Sequence, residues 1–332
     1  MSEEAQRRKH ELGPIGRLGR RISRLRRRYR LHRARHRIQG APPGPPAPFI
    51  CGATRSGTTL LRLMLDAHPE MAIPSETHFV PDVIVRCIDG PVTAEELAEV
   101  VTEHSRWGDF GLDAAELRDR FAAIERLNAA DAIRAFFQLY AEKQGKARWG
   151  DKTPGYIRQT RRIRRVLPEA HFVHTIRDGR DVALSIVPLN FGPDNVADAA
   201  RLWKKRVSWA RYQARNLEQY MEVFYEDLIL DTEPTLRRVC EFIGLGFDPA
   251  MLEYHESAGE RLAEKARDLP KPGGRAQPAE ARIASHALAT APPQSDRVGR
   301  WKREMSEADV AEYERIAGPL LADLGYELAT RS

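Results

Sequence analysis

The sequence predicts an α/β protein in which a central parallel sheet lies between two helical layers. Three observations carry that expectation. The chain has 332 residues, 42% of them hydrophobic, which suffices to bury a full core. Short apolar runs at 49–51, 171–176 and 221–225 have the composition of buried strands. Segments of helical period separate them, and strands joined through helices pair in parallel.

The elements follow in order. Residues 1–38 hold 14 Lys/Arg and 3 Glu, a net of +11, which leaves the rest of the chain at −5. Ile15, Leu18, Ile22, Leu25 and Tyr29 recur at helical spacing among arginines, the pattern of a basic amphipathic helix. A solvated extension and an anionic membrane surface are its main readings, with nucleic acid or another partner behind them. The body is acidic, so no nucleic-acid partner is expected. Residues 41–48, Ala-Pro-Pro-Gly-Pro-Pro-Ala-Pro, read as a polyproline spacer. The domain reading is therefore an arm at 1–40, a linker at 41–48 and a body at 49–332.

Within the body, strand 49–51 leads to a helix whose inward face is Leu60, Leu61, Met64 and Leu65, ending near His68-Pro69. Residues 93–105, 114–126 and 130–144 read as helices. A basic helix at 156–166 precedes strand 171–176, and helix 180–187 follows it. Trp203, Val207, Ala210, Ala214 and Leu217 mark a long helix by their alternating spacings of four and three. Strand 221–225 is followed by helix 233–243, with Pro234 in its first turn. Ser306 and Asp309 form a capping-box-like start for a last helix that stops at Gly325. Residues 264–300, rich in Pro, Gly, Ala and charge, read as a long loop. Cys51, Cys87 and Cys240 are far apart with no Cys-x-x-Cys. That argues against a disulfide scaffold or structural zinc and fits a reducing, cytoplasmic setting, peripheral to a membrane if the arm binds one. No stretch has transmembrane length, and no secretory signal is visible.

The chemistry concentrates at 49–61, where an apolar strand runs through a Gly-bounded loop into an apolar helix. Loop amides and a helix N-terminus converge there as a phosphate cradle. Gly52 and Gly57 keep the spacing of the nucleoside-triphosphate loop, but Thr58 stands where that loop has its phosphate-gripping lysine. The cation has moved into the loop as Arg55. A small-molecule P-loop kinase would need that lysine and a Mg²⁺-holding carboxylate, and it is the weaker alternative, as is a non-catalytic nucleotide-binding scaffold tethered by the arm.

The run 52–69 resembles the 5′-phosphosulfate loop of the sulfotransferase superfamily, with the tyrosylprotein and carbohydrate branches nearest in motif. The resemblance spans about residues 49–325. It implies a P-loop-like α/β fold, 3′-phosphoadenosine 5′-phosphosulfate (PAPS) as sulfuryl donor, 3′-phosphoadenosine 5′-phosphate (PAP) as product, and an acceptor hydroxyl or, with less support, an amine. By the same resemblance Ser56, Gly57, Thr58 and Thr59 would hold the 5′-phosphate, and Arg55 would neutralise the leaving oxygen. Glu76, in Pro-Ser-Glu-Thr-His-Phe, would be the catalytic base, with His78 its rival. Lys152, in Asp-Lys-Thr-Pro, would join Arg55 in clamping charge that develops in the transition state. Arg177 and Ser185 match the 3′-phosphate segment, Tyr225 the strand end near adenosine, and Arg297 and Arg300 the C-terminal loop over the nucleotide. Two positions depart from the tyrosylprotein pattern: Leu189 replaces an arginine and Ala291 a lysine. No metal-binding set is visible, and Arg and Lys can supply the charge. Segments 79–147 and 186–200, with Phe79, Val80, Trp107, Phe110, Phe136, Phe137 and Phe191, are expected to build the acceptor pocket. They leave a lipid, a polyketide, a sugar or a peptide open as acceptor.

Overall fold

The computed structural model of the protein describes residues 35–189, 192–270, 276–284 and 287–329. Four strands form its central sheet: β1 (Ala47–Gly52), β2 (Asp151–Lys152), β3 (Ala170–Ile176) and β4 (Tyr220–Phe224). Their order is β2-β1-β3-β4 and every pairing is parallel. All six residues of β1 are buried, as expected for a central strand covered on both faces. Its side chains alternate between two cores. Phe49 and Cys51 join Phe137, Tyr156 and Phe172 on one side. Ile50 joins Leu61, Met64 and Val173 on the other. Helices therefore cover both faces, and the three-layer α/β expectation holds.

The helix after β1, α1 (Thr58–Asp66), starts two residues earlier than its first apolar signal, Leu60. Two further helices, α2 (Gly179–Ile186) and α3 (Val196–Ala214), follow β3. The last helix, α4 (Glu307–Asp323), begins at Ser306, whose side chain accepts from the Asp309 amide. Trp203 of α3 and Tyr313 of α4 are buried together in a third core, which rests on Ile176 and Val182.

The structure corrects three expectations. Phe79, Val80, Phe110, Phe136 and Phe137 belong to the first core rather than to a pocket wall, and Trp107 packs against it. Val80 opens a helix, Val80–Asp89, with Pro81 in its first turn, where a missing N–H costs nothing. Phe191 lies outside the described residues. Residues 264–300 are not one loop: Leu269–Pro270 pairs antiparallel with Ala276–Gln277, and Ala279–Ala284 is helical. Long-range ionic contacts hold this region. The Arg267 Nε donates to Asp109 at 2.8 Å, and Arg282 donates to the same buried carboxylate. Finally, the Pro-rich segment is docked rather than free. The Asp131 carboxylate accepts from the Ala41 amide at 3.0 Å, Arg134 donates to the Ala41 carbonyl at 2.8 Å, and strand β1 is already formed at Ala47. Before that segment, Ile38 is 1% exposed and Arg37 donates to the Cys87 carbonyl at 3.0 Å. The amphipathic stripe at 15–29 lies outside the described residues.

Candidate functional site

The register of the sheet places the site. Gly52 pairs with Thr175, Ile50 with Lys152, and Ile176 with Phe224. Lys152, the 53–57 loop, Arg177 and Tyr225 therefore emerge in that order along the carboxyl ends of four parallel strands, where open α/β sheets bind ligands. Among the residues named from the sequence, Arg55, Gly57, Thr58, Thr59, Glu76, Arg177, Ser185, Tyr225, Arg297 and Arg300 line one cleft of about 630 Å³. Two named residues stand behind its wall, Ser56 and Lys152.

The loop is shaped for an anion. Gly57, the residue before α1, has φ 91° and supplies no side-chain cap, so the first amides of the helix are left for a ligand. Its missing Cβ also matters, because one built there would lie 2.6 Å from the Tyr225 ring. A Cβ on Gly52 would lie 2.6–2.8 Å from Thr175 and from Ser56 Oγ. Arg55 holds φ 71° and His78 φ 55°. Left-handed conformations are costly for such residues and cluster at functional sites.

Ser56, expected from the sequence to hold the 5′-phosphate, faces into the loop in this structure. It is fully buried, its hydroxyl donates to the Ala53 carbonyl at 2.6 Å, and it lies 3.0 Å from Thr175 Oγ1. Its proton is spent inside the loop.

Three guanidiniums converge at the nucleotide end. Burial, then Arg177 and Arg297, push Arg55 below its ordinary value, partly offset by Tyr225. Arg177 lies over the Tyr225 ring at 4.2 Å and donates to the Arg297 carbonyl at 2.7 Å. The Nε atoms of Arg177 and Arg297 are buried without a partner among the described residues. Clustered cations with unspent donors fit a ligand with several negative charges, such as a nucleotide with separate 3′- and 5′-phosphates.

At the other end stands a carboxylate. Glu76 Oε1 accepts from Lys152 Nζ at 2.8 Å, and Glu76 Oε2 lies 2.9 Å from His78 Nε2. Arg106 approaches Oε2 at 3.9 Å. Burial opposes the charge on Glu76, yet Lys152, His78 and Lys265 hold its carboxyl well below the usual range. Lys152 is fully enclosed, and burial lowers its pKa against the support of Glu76. It stands as the partner of Glu76 rather than as a wall of the cleft. His78, the rival base, is hydrogen-bonded to Glu76, so the two candidates form one unit.

Sequence reasoning missed Asp181. Its enclosed carboxylate accepts from the amides of Gly299 at 2.9 Å and Trp301 at 2.8 Å, and lies 3.6 Å from Arg177. It straps the C-terminal loop to α2, bringing Arg297 and Arg300 to the cleft. Beside it, Arg180 lies over the Trp301 ring at 3.5 Å. An acid in the first turn of a helix reads as a dipole partner, which hid this longer-range role. Also unforeseen was the wall formed by Leu288, Ala289, Ala291, Pro292, Pro293 and Gln294.

Comparison with known proteins places the chain among related sequences and folds. The protein-tyrosine sulfotransferase 2 of Gallus gallus is 26% identical over 291 residues, covering 85% of this chain and 70% of that protein. The protein-tyrosine sulfotransferase of Drosophila melanogaster is 24% identical over 289 residues, covering 85% of this chain but only 52% of that protein. Among solved structures, the sulfotransferase domain from the Synechococcus PCC 7002 olefin synthase aligns with a TM-score of 0.59 at 23% identity, over 88% of this chain and 98% of that domain. The sulfotransferase domain from the curacin biosynthetic pathway gives 0.56 at 19% identity, over 86% and 100%. These two likenesses establish the fold. A family model, the sulfotransferase family, matches residues 46–249, more than half of the sequence, and the chain belongs to that family.

Proposed function

We propose that this sulfotransferase passes the sulfuryl group of PAPS to an acceptor hydroxyl, with Glu76 as general base, and releases PAP. The observation that carries the reading is the layout along one sheet edge. An ionised carboxylate stands at one end, a phosphate cradle in the middle and a cluster of guanidiniums at the other end. In-line transfer requires that order: the base faces the attacking oxygen, and the cations face the leaving one.

Each side chain then has a role. Glu76 takes the hydroxyl proton as oxygen attacks sulfur, the S–O bond to the acceptor forms, and the bond to the bridging oxygen breaks. Lys152 keeps Glu76 ionised and oriented, because an enclosed ammonium 2.8 Å away favours the charged carboxylate. Arg55 and the first amides of α1 take the charge that collects on the 5′-phosphate. Arg177, with Ser185, holds the 3′-phosphate, and Arg297 and Arg300 cover it from the C-terminal loop. Tyr225, stacked under Arg177, offers a face to the adenosine.

The test is Glu76→Gln. Loss of a general base costs about 10²–10⁴ in rate, so turnover of PAPS should fall by that factor while PAP affinity stays within a few-fold. If Glu76→Gln retained its rate and His78→Ala lost it, the base would be His78. A panel offering a tyrosine peptide, a sugar and an aliphatic alcohol, each with labelled PAPS, identifies the acceptor class.

A further inference from the structure

One face of the molecule has the opposite charge to the rest of the body and takes no part in the chemistry above. The outward stripe of α3, with the residue that caps its C-terminus, consists of Arg201, Lys205, Ser208, Trp209, Tyr212 and Arg215, all exposed. The other face of this helix is buried through Trp203, Val207 and Ala210. Trp209 is 46% and Tyr212 50% exposed, and the two rings lie 5.6 Å apart, so they form one contiguous patch rather than scattered surface groups. Arg161 lies over Tyr212 at 5.4 Å and Arg215 at 6.0 Å. Arg161 comes from the neighbouring helix Thr160–Val166, which also exposes Arg165.

The charge is one-sided. Residues 154–168 and 199–217 contain no Asp or Glu, although residues 39–332 carry a net of −5. Among the described residues, Arg161, Arg165, Lys205 and Arg215 make no ion pair with an acid, whereas Arg201 is paired with Asp198 at 2.7 Å. Helix Thr160–Val166 also packs on helix Val80–Asp89, the element to which Arg37 is bonded.

We propose that this cationic, aromatic face docks on an anionic lipid bilayer. Guanidiniums and an ammonium would meet the lipid phosphates. Trp209 and Tyr212 would enter the headgroup layer, where amphipathic rings are at home. Bare cations draw the face to any polyanion, but an exposed Trp–Tyr pair between them gains only where an apolar boundary lies just beyond the charge. That favours a bilayer over an acidic polypeptide.

The experiment uses the full chain with phosphatidylcholine vesicles, with and without phosphatidylglycerol. Each cation near an anionic surface multiplies binding by about five-fold. The variant Arg161→Gln/Arg165→Gln/Lys205→Gln/Arg215→Gln should therefore lose roughly a hundred-fold or more in co-sedimentation with the anionic vesicles. Its PAP affinity and melting temperature report that it is folded. Brominated lipid placed at headgroup depth should quench wild-type fluorescence more than that of Trp209→Phe, a variant that leaves every charge in place. Vesicle binding unchanged in the fourfold variant, or equal quenching in Trp209→Phe, would overturn the proposal. So would polyglutamate binding that depends on the four cations while vesicle binding does not, which would assign the face to an acidic polypeptide.

Discussion

Two adjacent residues of β2 carry opposite electrostatic fates. Lys152 is enclosed but paired, and its ammonium and the Glu76 carboxylate stabilise each other's charge. Asp151 is enclosed and has no cation in hydrogen-bond contact. Its Oδ1 accepts from the Thr77 hydroxyl at 2.7 Å, and its Oδ2 has no partner among the described residues. Burial pushes its pKa up to about 7, more than the Thr77 and Thr153 hydrogen bonds pull it down. A carboxyl that binds its proton more tightly when folded stabilises the fold at low pH, and this contribution is lost as pH rises from the unfolded value near 3.8 to about 7. Asp151→Asn mimics the protonated form. Its stability relative to wild type should therefore be greater at pH 8 than at pH 5, measured by urea denaturation at both. An equal difference at the two pH values would mean that Asp151 is already ionised in the fold throughout. Arg177 carries the second prediction at this scale. Arg177→Ala should weaken PAP by about 1.5–3 kcal/mol, the range for a hydrogen bond to a charged group, and should change ATP far less. Equal losses for both nucleotides in calorimetry would contradict the 3′-phosphate role.

At the scale of elements, the cleft is closed by two pieces that reach it differently. The 53–57 loop is built from neighbours in sequence, and its shape was legible from Gly52, Gly57 and the helix they introduce. Even there the sequence could not tell that the Ser56 hydroxyl turns inward to Ala53. The strap at 297–301 reaches the site through a carboxylate on another element. Asp181 bonds the Gly299 and Trp301 amides, a tie between residues about 120 positions apart that no local pattern encodes. Asp181→Asn keeps one acceptor oxygen and loses the other together with the charge near Arg177. Loss of a charged hydrogen bond of about 1.5 kcal/mol is roughly ten-fold. Expected is a ten-fold rise in the KM for PAPS with kcat at saturating donor near wild type. A fall in kcat with unchanged KM would place Asp181 in the chemistry instead.

Over the whole molecule, the readable parts were those in which one periodicity served one purpose. The apolar run of β1 reports a strand covered on both faces, and the stripe of α3 reports one buried helix face, although the helix ends at Ala214, before Leu217. The aromatics at 79–137 failed as pocket markers because a core wall and a ligand wall have the same composition. Only the third dimension shows Phe136 5.0 Å from Phe110 and 4.7 Å from Phe79, ring against ring, with no space for a ligand between them. Composition also misled at the start of the body. Eight residues rich in proline suggested a spacer, yet the chain is fastened to the body by Ile38 before them and by β1, which begins at Ala47 within them. This leads to a prediction about where the folded unit starts. A chain truncated to begin at residue 35 keeps Ile38 buried and Arg37 bonded to the Cys87 carbonyl. One truncated to begin at residue 41 loses both. Burial of an isoleucine side chain contributes about 1.5–3 kcal/mol, and the Arg37 hydrogen bond about 0.5–1.5 kcal/mol more. The shorter chain should be less stable by about 2–4 kcal/mol in urea denaturation, while the longer one matches the full-length protein. Equal midpoints for the two truncations would show that residues 35–40 are an appendage, and the boundary would return to the proline run.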